Sequence, residues 1–226
     1  MIYAGTFFGA LLLLFFLSKT VSARLSLLFY RITKSQKATV NLMAFLFFPG
    51  TIIHELSHFF MAALLFVPTG HIDLWPKMED NHSVKLGSVQ IAQTDIFRRF
   101  LIGAAPFLFG VSLLLGLLFF FVTNNLFANH WFVVLMVYLA FEIGNTMFSS
   151  KKDMEGALEL FGALLFFTLV LYFLGVRIPE LDIPSFFNNP TVSEIFRQGS
   201  IFLSVPLGID IIILLLLRIF SYRKLS

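Results

Sequence analysis

The stretch FFPGTIIHELSHFFMAALLF, residues 47–66, sets His54, Glu55 and His58 within five positions of an otherwise apolar segment. On a helix, His54 and His58 lie one turn apart on the same face. Two neutral imidazoles so placed can ligate one Zn2+, which accepts imidazole nitrogen at about 2.0–2.1 Å. Glu55 borders that face and can reach a water at an open coordination position. Zinc brings the pKa of such a water to about 7, and the carboxylate can take its proton and hand it to a leaving amine. This is the H-E-x-x-H arrangement of metalloproteases. The bland alternative is a pair of histidines hydrogen-bonded between helices, with a protonated glutamate as packing. Ionisable groups cost about 2.5–3.5 kcal/mol at the bilayer centre even on lenient scales, so they are rare there and usually functional. Thr51 and Ala62 continue the stripe while Phe47, Phe59, Phe60 and Leu64 turn elsewhere, which predicts a face lining an enclosed cavity.

A hydrolytic zinc site needs a third protein ligand, and Asp153, Glu142, Glu155 and His71 are the candidates. Glu142 lies inside an apolar run, as a helix contact or a support for the ligands. Glu155 and Glu159 open a helix, where acids favour its dipole. His71 reads as a solvated residue at the base of a hairpin. Asp153 lies in GNTMFSSKKDMEG, where the helical pattern breaks down, and is either a ligand or part of an interfacial loop.

The elements that must position these residues belong to a membrane protein. Of 226 residues, 58% are hydrophobic and 13% charged, and mean hydropathy is +0.88, more apolar surface than a soluble domain can hide. The net charge of +3 suggests no nucleic-acid partner, because the basic residues flank apolar runs as helix anchors. Without cysteine, disulfides and thiolate chemistry are excluded. The expected fold is an all-α polytopic membrane protein of about six transmembrane helices, near residues 2–17, 40–67, 97–122, 131–148, 155–175 and 201–220. The basic stretch 19–38 reads as an amphipathic interfacial segment. Pro49-Gly50 should tilt or kink the second span. Alternation at Ile72/Leu74, Val84/Leu86 and Val89/Ile91 predicts a small β-hairpin over 70–95 at the membrane face between the second and third helices, with an irregular loop as the alternative. The parts are then an N-terminal helix with its interfacial segment (1–39), a core (40–160) and accessory helices (161–226). Placing the hairpin, the SSKKD segment and the C-terminal end on one side gives that side only a small excess of Lys and Arg, so charge leaves orientation open.

Three features in order resemble the site-2 protease family of intramembrane zinc metalloproteases: HELSH in a membrane helix, a hairpin followed by GAAPFLFG (residues 103–110), and GNTMFSSKKDMEG. The resemblance covers about residues 45–160 and points to a short form without PDZ or CBS domain. It departs from the family where Asn145 lacks a following proline, where glycine is delayed to Gly156 after Asp153, and around Ala105-Pro106. The resemblance implies one Zn2+ per chain held by His54, His58 and Asp153, with Glu55 as catalytic base and Asn145 as a substrate-positioning residue. It further implies a zinc-dependent metalloendopeptidase acting on transmembrane protein substrates in the lipid bilayer of a prokaryotic cell (inner) membrane. The alternatives are a non-proteolytic metal-binding membrane protein or transporter, and a catalytically inactive scaffold.

Overall fold

The computed structural model describes residues 1–74, 77–78, 84–85, 87–148, 153, 155–173 and 183–222. Helix α1 runs unbroken over Ile2–Thr33. It merges the expected first span with most of the amphipathic stretch, which is not a separate interfacial element. No glycine or proline interrupts residues 10–33, and the hydroxyls of Ser18 and Thr20 fold back onto the carbonyls of Phe15 and Phe16. The helix stops at Lys34, whose left-handed φ of 53° turns its N–H onto Tyr30 O. Ser35 then caps α2 (Gln36–Leu46) by accepting from Ala38 N.

The expected second span is two helices, α2 and α3 (Phe48–Leu64), bent by 72° at Phe47. Pro49 explains the position of the break. It has no N–H and its ring would meet the carbonyl of Phe45, so it is accommodated only in the first turn of a new helix. After α3 come two nested antiparallel ribbons: β1 (Thr69–Asp73) pairs with β4 (Ser88–Ile91), and β2 (Lys77–Met78) with β3 (Val84–Lys85). Ile72 opposes Val89, as the alternation predicts, and the tip at 79–83 lies outside the described residues.

Helix α4 (Ile96–Thr123) starts at Asp95, whose carboxylate accepts from Arg98 N at 2.9 Å and is thereby held below its ordinary pKa. Helix α5 (His130–Thr146) follows a 3-10 turn, α6 spans Glu155–Phe173 and α7 is the short Ile183–Asn188. Helix α8 (Pro190–Tyr222) begins eleven residues before the expected sixth span. Asn189 Oδ1 accepts from Thr191 and Val192 amides, with Pro190 at the first helical position, a start signal the hydropathy pattern overrides. Among the described residues, three helices (α1, α4, α8) are long and apolar enough to cross a membrane, or up to four if α2–α3 counts as one span; α5 is apolar but shorter.

Helix α3 packs on α4 and α5, which also pack on each other. Helix α8 lies along α1 in the same direction. Met1 meets Asn188, Phe7 meets Gly199, and Val21 and Leu25 share a cluster with Ile213 and Leu217. Helix α5 also runs with α8, since Met136 and Phe202 line one small void while Gly144 seats Pro206 farther along. A Cβ on Gly144 would stand 2.8 Å from Pro206 Cβ, so the crossing requires glycine there.

Candidate metal centre

The orientation of the two histidines is set by two carbonyls that their own helices leave open. His54 Nδ1 donates to Thr146 O at 2.7 Å. Thr146 is the last residue of α5, where carbonyls lack intrahelical partners. His58 Nδ1 donates to Ile102 O at 2.7 Å, in the second turn of α4. The residue that would normally satisfy Ile102 O is four positions on, and it is Pro106, which has no N–H. The internal proline of α4 thus creates the acceptor that aims His58.

A carbonyl only accepts, so both imidazoles carry hydrogen on Nδ1, and in the neutral form both Nε2 atoms present lone pairs. These stand 3.3 Å apart. Asp153 completes the group, with Oδ1 at 3.5 Å from His58 Nε2 and Oδ2 at 3.7 Å from His54 Nε2. Two nitrogen lone pairs and a carboxylate at such range repel unless a proton or metal cation lies among them. Tetrahedral bonds of 2.0–2.1 Å separate neighbouring ligand atoms by about 3.3 Å, and the three ligand atoms here all lie within 4.8 Å of one another. His54, His58 and Asp153 could therefore hold a metal ion, and their donor set suits zinc. Asp153 is carried close by Gly103 on α4, where any Cβ would collide with the Asp153 carbonyl.

The other third-ligand candidates go elsewhere. Glu142 is fully buried and its Oε2 accepts from Gly50 N at 3.0 Å. Gly50 lies in the first turn of α3, which has no side-chain cap of its own, so Glu142 serves as that cap from the neighbouring helix. His71 is exposed on β1 and outside the metal-ligand group. Glu159 pairs with Arg99 at 3.1 Å, and the Glu155 side chain lies outside the described residues.

Glu55 is buried and lines the same cavity of about 1020 Å3 as His54, His58 and Asp153. Gly87, just before β4, lies against it: a Cβ there would stand 2.8 Å from Glu55 Cγ. Strand β4 and residues 92–94 form one wall of the cavity. Thr51 and Ala62 are buried, as the stripe predicts, and Phe60 and Leu64 are exposed. Phe47, however, turns inward, stacks on Phe141 at 5.8 Å and lines the cavity, because the bend redirects it.

Asn145 lines the cavity too, but its Nδ2 donates to Asp210 Oδ1 at 2.8 Å and to Phe141 O at 3.0 Å. Asp210, fully buried on α8, is a residue the sequence reading missed. The signal was available: Asp210 is a lone carboxylate in the run LGIDIIILLLL. No protein-family model, curated protein or solved structure matches the chain.

Proposed function

We propose that the chain is an intramembrane zinc metalloprotease, a metalloendopeptidase similar to the site-2 protease family, cleaving membrane-spanning protein substrates in a prokaryotic cell membrane. The observation that carries this reading is the pair of Nε2 atoms 3.3 Å apart beside a carboxylate, in a cavity that also holds Glu55. Zn2+ held by His54, His58 and Asp153 would supply a Lewis acid that polarises a peptide carbonyl and acidifies a water. Glu55, next to His54 in sequence but outside the ligand group, takes the proton from the attacking water and returns it to the departing amine. Among the described residues the Asn145 Oδ1 has no hydrogen-bond partner while Nδ2 is engaged, so this residue would receive a substrate N–H rather than donate to a carbonyl. Strand β4, paired among the described residues with β1 alone, offers its other edge to an extended peptide, whose main chain supplies affinity with little sequence demand.

The test is metal content of the purified protein, followed by cleavage of a single-span substrate with and without chelator. About one zinc per chain and chelator-sensitive cleavage that Glu55→Gln abolishes support the proposal. Cleavage that survives Glu55→Gln, or bound zinc with no cleavage, would return the chain to a metal-binding or transport role.

A further inference from the structure

Helix directions decide how α2–α3 relates to the bilayer. Helices α1, α5 and α8 run the same way, as their paired contacts show. Helix α4 runs against α5: Gly110 meets Met147, whereas Leu117, a turn or two farther on, lines a void with Met136. The start of α4 is therefore level with the end of α5, and both lie beside Asp153, the hairpin and the end of α3. By the same token α1 ends on that face. Its 32 residues span about 48 Å, beyond the ~30 Å hydrocarbon core, so Thr33 clears the membrane there. Helix α2 starts on this face and α3 delivers the chain to β1 on the same face. At 11 and 17 residues they are about 16 and 25 Å long, and the pair begins and ends on this one face.

We infer that the α2–α3 pair bearing His54, Glu55 and His58 is re-entrant: it dips into and leaves the bilayer through one face, which rests against anionic lipid headgroups, and Met1 lies on the opposite face. The bend at Phe47, stacked on Phe141 and packed with Val21 and Leu25, is the deep point of the dip. The crossing helices are then α1, α4, α5, α6 and α8, five rather than six.

Charge supports this arrangement independently. Helices α1 and α2 bring Arg24, Arg31, Lys34 and Lys37 to the site-bearing face, α4 opens there with Arg98 and Arg99, and α8 ends there with Arg218. Among described basic residues Arg197 alone lies toward the other face. A full second span would move the four cations of α1 and α2 away and erase the asymmetry. The positive-inside rule then puts the site-bearing face in the cytoplasm, against the anionic leaflet.

The chain has no cysteine, so single cysteines report without background. Exposed positions serve: Gln36→Cys and Lys37→Cys before the dip, His71→Cys on the hairpin, Ala128→Cys and Ile2→Cys on the other face. With an impermeant maleimide on intact cells, Ile2 and Ala128 should label, while Gln36, Lys37 and His71 should label only after permeabilisation. Labelling of both Gln36 and Lys37 together with Ala128, and not with His71, would show a full crossing and overturn the inference. Labelling of Gln36, Lys37 and His71 in intact cells would keep the dip and overturn its cytoplasmic placement. The readout is topological, so it stands whether or not the chain cleaves anything.

Discussion

At the residue scale, the chemistry depends on which nitrogen of each histidine is free. Carbonyl oxygens of Thr146 and Ile102 accept from the two Nδ1–H groups, so affinity for a metal would rest on tautomers rather than on proximity alone. Glu55→Gln should leave zinc near one per chain and reduce cleavage by about 10²–10⁴-fold, because shape is kept and only the base is lost. Asp153→Asn should instead lower zinc occupancy, since a neutral amide is the poorer ligand. Full zinc and full activity in Asp153→Asn would remove it from the ligand set. Glu142 separates from these by its effect. Glu142→Leu leaves the Gly50 amide buried without its acceptor and should cost about 1–3 kcal/mol in thermal unfolding, whereas Glu142→Gln, which still accepts, should cost much less.

At the element scale, α4 does two things through two residues. Gly103 makes room for the Asp153 carbonyl, and Pro106 vacates Ile102 O for His58. Pro106→Ala restores an amide that competes for Ile102 O. Zinc affinity should fall by about 10-fold, in the range seen when a ligand's hydrogen-bonding partner is disturbed. Unchanged affinity on competition with a chelator would show that the proline does not aim His58. For the strand, Val89→Pro removes a backbone donor from β4. It should slow cleavage while zinc stays bound. Cleavage at the wild-type rate in the folded, zinc-loaded variant would release β4 from any role as substrate clamp. Asp95 is a smaller case. Its lowered pKa means the α4 cap contributes above the ordinary value of 3.8 and is lost as pH falls through the depressed one.

At the scale of the whole molecule, a metal held here would join four separate stretches of chain: α3, Asp153, and the α4 and α5 carbonyls behind the histidines. Removing it leaves lone pairs and a carboxylate opposed inside a packed cavity. Zinc should therefore stabilise the detergent-solubilised protein by about 2.7 kcal/mol at a hundredfold excess over Kd, seen as a higher unfolding temperature. Glu55→Gln should show the same shift, and His58→Ala should lose it. An equal melting temperature with and without zinc in the unmutated protein would argue against these three residues as one centre.

The membrane class, the HELSH pair at helical spacing, the Pro49 interruption and the alternation of β1 with β4 were all legible in the chain. Each rests on local periodicity or on a residue with a fixed steric demand. From the residues alone Asp153 was one of four candidates, because a ligand's partners are distant in sequence, and only the family resemblance singled it out. Packing places Asp153 beside the two histidines, by seating it on Gly103, and turns Glu142 to Gly50. The continuity of α1 was hidden because charged and apolar residues alike propagate a helix when no glycine or proline stops it. The shared direction of α1, α5 and α8 leaves no local mark, since parallel and antiparallel helices bury the same apolar stripe. That direction exists only in the assembled fold, through contacts such as Gly144 with Pro206 and Asn145 with Asp210.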